Sequence, residues 1–98
     1  MTVYDDILEE RIRQHRKHGD QAHLPDGTGG LLRQIESSNR QGECDRATAR
    51  GTVTFALILA EEVAEALAET DPAKLRAELV QVAAVAVQWV EAIDGRQA

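Results

Sequence analysis

A chain of 98 residues, 43% of them hydrophobic, has material for one domain (1–98) and one modest core. Its formal net charge of −6 excludes the basic surface that broad nucleic-acid binding requires, so no nucleic-acid partner is expected. With a single Phe, a single Tyr and a single Trp, the core must be built from Ala, Val, Leu and Ile, a supply that suits closely packed helices.

Residues 3–18 read as a first helix. Tyr4, Ile7, Leu8 and Ile12 recur at helical spacing. Asp5, Asp6, Glu9 and Glu10 come early and Arg13, Arg16, Lys17 and His18 late, an order that complements the helix dipole. Gly19 is the expected stop. Residues 19–30 read as a loop around the turn signal Pro25-Asp26-Gly27. Residues 31–41 are expected to form a short polar helix anchored by Leu31, Leu32 and Ile35, and 42–51 a second loop between Gly42 and Gly51. Alternatively, 31–50 gains order only when something binds.

From Thr52 the character changes. Thr52 or Thr54 can cap a helix running to about Glu69. Asp71-Pro72 then starts a last helix to about Ile93, ended by Gly95. Residues 52–94 thus form an αα-hairpin, the core of an all-α antiparallel bundle of about four helices. A helix apolar nearly all round must be buried on several sides. The last helix is of this kind, so the bundle is expected to be completed by oligomerisation, as a homodimer or homotetramer. The stretch Leu79 to Val90 is too short for a membrane span and holds Gln81 and Gln88, so no membrane partner is expected. Cys44 is alone, which permits no intramolecular disulfide. With no apolar h-region near Met1, this points to a reducing cytoplasm.

The chemistry-bearing pattern lies on the hairpin. At about 100° per residue, Glu61, Glu62, Glu65 and Glu69 fall on one narrow sector of an otherwise apolar helix. On the last helix Glu78 and Gln81 share a face, extended by Lys74 and Gln88. Magnesium takes hard oxygen ligands, usually a few carboxylates, waters and substrate phosphates. Carboxylates on two facing helices can supply such a set. The competing reading is a solvated acidic face, although like charges at i,i+4 destabilise a helix unless something neutralises them.

Glu61-Glu62-Val63-Ala64-Glu65 followed by Glu78-Leu79-Val80-Gln81 resembles the EExxE…ExxD signature of the MazG-like all-α nucleoside triphosphate pyrophosphatases. Lys17-His18-Gly19-Asp20-Gln21 with Leu24-Pro25-Asp26-Gly27-Thr28 resembles the N-terminal loop of short actinobacterial and phage MazG-like proteins. The resemblance implies a helical bundle of two or four chains that hydrolyses a nucleoside triphosphate between its α and β phosphates. It implies Mg²⁺, with Mn²⁺ as a substitute, held by Glu62, Glu65 and Glu78. Glu61 would be a further ligand or would orient the attacking water. The family's last acid is replaced by Gln81, whose amide can offer an oxygen to the metal but neither charge nor a base.

Arg13, Lys17, His18, Gln21 and His23 are candidates for phosphate or base contact; otherwise they form a basic helix end that complements its dipole. Lys74 is a further substrate-binding candidate, or pairs with Glu78 at i,i+4. Trp89 suits a core or interface better than base stacking. Cys44 has no evident activating base.

Overall fold

The computed structural model describes residues 1–97 as four helices, α1 (Val3–His18), α2 (Leu31–Arg50), α3 (Phe55–Ala68) and α4 (Pro72–Gln97), with no strand among the described residues. The all-α expectation holds.

Local chemistry sets most of the boundaries. Thr2 caps α1 in a full capping box: its hydroxyl accepts from the Asp5 N–H, and Asp5 accepts from the Thr2 N–H at 2.9 Å. Gly19, at φ 69°, ends the helix and donates to His15. Thr54 caps α3 by accepting from the Leu57 N–H at 3.2 Å. Asp71 accepts from the Lys74 N–H at 3.0 Å at the start of α4, and Pro72 fits the first turn because its missing N–H would be unpaired there anyway.

Two expected boundaries are corrected. Residues 42–50 are not a loop: α2 continues through Gly42 to Arg50. The reason is visible in its packing seam. Ser37, Cys44 and Ala47 turn inward at helical spacing, with Cys44 and Ala47 buried. Small and polar residues form this seam, so the apolar periodicity that signals a helix is missing. An isolated glycine costs a helix only about 1 kcal/mol, which packing outweighs. The true stop is Gly51, left-handed at φ 70°, ψ 23°, whose N–H reaches the Ala47 and Thr48 carbonyls. Similarly, α4 runs past Gly95 to Gln97.

Helix α3 is the centre of the bundle, packed between α2 and α4. The α3–α4 hairpin is antiparallel: Phe55 at the start of α3 stacks on Trp89 near the end of α4, with ring centroids 5.8 Å apart. The buried apolar set is small in volume, comprising Val3, Cys44, Ala47, Ala64, Ala66 and Leu75 among the described residues. Alanines at the centre let the helices approach closely. Helix α1 stands apart, touching only α4 and burying only Val3.

The 19–30 loop is tied back to the hairpin. The Gly29 N–H donates to the Leu67 carbonyl at 2.8 Å, satisfying a carbonyl near the end of α3. Gly29 sits at φ 94°, and a Cβ there would lie 2.5 Å from the Thr70 methyl. Gly29→Ala is therefore expected to destabilise the chain by about 1–3 kcal/mol, from the left-handed backbone and the steric conflict together. Urea unfolding monitored by circular dichroism reads this directly; an unchanged midpoint would remove the loop's anchoring role.

No described helix is long and apolar enough to cross a membrane.

Candidate metal centre

Helices α3 and α4 bring three glutamates together. Glu62 and Glu65, three apart, lie on one face of α3, and Glu78 faces them from the first part of α4. One carboxylate oxygen from each lies within 4.8 Å of the others. All three side chains are half-buried. The cavity beside them is about 320 Å³, lined by Gln34 and Ser37 of α2, Glu65 and Ala68 of α3, Glu69, and Glu78 of α4.

The electrostatics of this cluster are unfavourable as it stands. The Oε2 atoms of Glu62 and Glu78 are shut off from solvent with no hydrogen-bond partner. Burial raises the Glu62 pKa above the ordinary carboxylate value, and the charges of Glu78 and Glu61 raise it further. Glu65 is pushed up to about 7: by burial first, then by the hydrogen bond it shares with Glu78, then by the charges of Glu62, Glu78 and Glu61. A buried polar atom without a partner is costly and calls for an explanation such as an ion.

The donor set fits a hard divalent cation. Every candidate ligand atom is a carboxylate oxygen, and Glu62 and Glu78 each carry one buried oxygen without a hydrogen-bond partner. Magnesium–oxygen bonds of about 2.1 Å place octahedral ligands about 3–4 Å apart, inside the 4.8 Å that bounds the separations of these oxygens. Water and substrate oxygens from the cavity side would fill the remaining positions.

Glu61 stands beside the trio but faces elsewhere. Its carboxylate lies against the buried Cys44 thiol of α2. The hydrogen bond to Glu61, then burial, then the Glu61 charge push that thiol up to about 11, so it stays protonated and unreactive at neutral pH. Gln81 is exposed one turn beyond Glu78 and does not line the cavity.

None of the substrate-binding candidates lines the cavity beside the glutamates. Gln21 lines a separate hollow of about 320 Å³ at the end of α1, with Arg11, Gln14 and His15, and the two cavities share no residue. Lys17 and His18 are exposed on the same helix end. The physical reason is that α1 is seated only at its start, through Val3, so its basic end lies outside the packed part of the bundle. Lys74 is exposed and makes no ion pair with Glu78 among the described residues.

No family model, curated protein or solved structure matches the chain. The case for a function therefore rests on the site itself.

Sequence reasoning did not anticipate Gln34 and Ser37 as cavity walls. Their i,i+3 spacing on a polar segment was the available signal, but it has meaning only once α2 is recognised as packed against α3.

Proposed function

We propose that the chain is a magnesium-dependent nucleoside triphosphate pyrophosphohydrolase of the MazG-like type, converting a (d)NTP to (d)NMP and pyrophosphate in nucleotide-pool house-cleaning. Manganese would substitute for magnesium, and the working form would be a cytoplasmic homodimer or homotetramer. The observation that carries the reading is the convergence of Glu62, Glu65 and Glu78, with two buried oxygens that have no other partner.

Glu62 and Glu65 from α3 and Glu78 from α4 would hold the cation, which when bound supplies positive charge to the phosphate oxygens and to the attacking water. The antiparallel hairpin fixes these side chains on rigid helices, so little ordering is left for the moment of reaction. Water would attack the α phosphorus and the bond to the α–β bridging oxygen would break. Glu61 or Glu62 would accept the water's proton. For Glu61 this requires release of the Cys44 thiol.

A second reading has its own support. Gln81 stands off the cavity, and no Arg, Lys or His lines it. Phosphate sites usually carry such cations. On this reading the chain is a weak or inactive nucleotide-binding or regulatory helical module on the same scaffold.

Incubation with a panel of dNTPs and NTPs plus Mg²⁺, with chromatographic detection of monophosphate and pyrophosphate, separates the two. Equimolar release of both products is expected. Release of inorganic phosphate and nucleoside diphosphate instead would reject the assignment of the cleaved bond. Nucleotide binding without turnover would favour the second reading.

A further inference from the structure

The single chain exposes far more surface than a compact protein of its size. Its accessible area is 7361 Å². A compact monomer of this mass exposes roughly 5,500 Å². Its radius of gyration is 15.7 Å, against about 13 Å expected for its length. The excess is therefore about 1,900 Å² per chain. Two chains covering that area would bury about 3,700 Å² in total, within the range of obligate homodimers.

Two of the exposed surfaces match in length and in their largely apolar character. One is the apolar stripe of α1: Tyr4 is 64% exposed, Leu8 62% and Ile12 43%, on a helix packed only against α4. The other is a groove between α2 and α3, on a different face from the glutamates. Its main part is about 420 Å³, running from Ala56 to Leu67 of α3 and ending at Trp89, with the paired Glu36 and Arg40 of α2 on its polar rim. An adjoining hollow of about 160 Å³ extends it past Leu32. The stripe from Tyr4 to Ile12 is ~12 Å long and the α3 wall from Ala56 to Leu67 is ~16 Å, so the helix face fits within the groove. Laying an amphipathic helix into an apolar groove is a common recognition mode.

We propose that the α2–α3 groove of one chain receives the apolar face of α1 from a second copy, and the reverse, forming a two-fold arm-exchanged dimer. The seat specifies the homo-oligomer named above and does not depend on the metal reading. In this arrangement Leu8 and Leu67 become interface residues, although both are exposed in the single chain.

Multi-angle light scattering of the full chain at micromolar concentration tests it, with circular dichroism to confirm that each variant keeps its helices. The wild type is expected at twice the 10.7 kDa chain mass. Leu8→Glu and Leu67→Lys are each expected to weaken the dimer about a hundredfold or more by placing a charge in a desolvated seat. Neither belongs to the buried core. The pair Leu79→Lys and Val80→Lys on the outer face of α4 should leave the dimer intact. A monomeric wild type overturns both the oligomer and the seat. A dimer insensitive to Leu8→Glu and Leu67→Lys, or dissociated only by the α4 variant, overturns the seat alone.

Discussion

Replacing Glu62 and Glu65 together by Gln is expected to lower pyrophosphate release about a thousandfold or more, the several kcal/mol that a bound cation contributes to stabilising charge on a reacting phosphate. The same double variant should lose any Mg²⁺-induced rise in melting temperature. Without metal it should be more stable than the parent by about 1–2 kcal/mol, because two crowded, half-buried carboxylates become neutral amides. The combination is diagnostic. A purely structural acidic face predicts stabilisation in the Gln variant but no metal-dependent shift in the parent. A double variant that turns over nucleotide normally would end the metal assignment to these residues.

The second large effect is on stability as a function of pH. Glu65 is held at about 7 in the folded chain against an ordinary value of 4.5, and Glu62 is shifted in the same direction. Between these values the folded state binds more protons than the unfolded state, so stability falls as pH rises. The protonated cluster is most favourable below about pH 4.5, and its contribution is lost by the time pH passes about 7. Because these side chains keep some solvent, the loss is put at about 1–2 kcal/mol, or about 5–10 °C in melting temperature for a domain of this length. Saturating Mg²⁺ at pH 8 should reverse it, since a cation then takes the place of the protons. Thermal melts from pH 5 to 8, with and without Mg²⁺, make the measurement. A melting temperature that is flat or rising over this range without metal would contradict the clustered geometry.

Much of this fold was legible because its boundaries are written in side-chain chemistry. Thr2 with Asp5, Gly19, Thr54 and Asp71-Pro72 each satisfy or terminate helix ends through local interactions, and local interactions survive in a linear sequence. The acid cluster was legible for the same reason: Glu62 and Glu65 share a face by helical geometry alone, and the short turn forces Glu78 opposite them. What could not be read depends on tertiary packing. The inward face of α2 is Ser37, Cys44 and Ala47, so its helix carries no apolar rhythm beyond Ile35 to signal that it continues through Gly42. The separation of Lys17, His18 and Gln21 from the glutamates follows from how little of α1 is seated, which no spacing along the chain encodes. Glu61 shows both sides. Its stripe position was clear, but its neighbour Cys44 belongs to a stretch expected to be a loop.

The alanines flanking Glu65 carry a further consequence. Ala64 and Ala66 are buried, Ala66 at 2% exposure, and their small size keeps α3 close against its neighbours. The spacing of the helices that carry the carboxylates therefore depends on side chains with no charge and no chemistry of their own. A bulkier residue at position 66 would leave every glutamate unchanged yet spread the donor oxygens beyond the span of a small cation and towards that of a larger one such as Ca²⁺. On the proposed metal reading, preference among cations would then be a property of helix spacing as much as of ligand identity, and it would drift through substitutions that no inspection of acidic residues would notice.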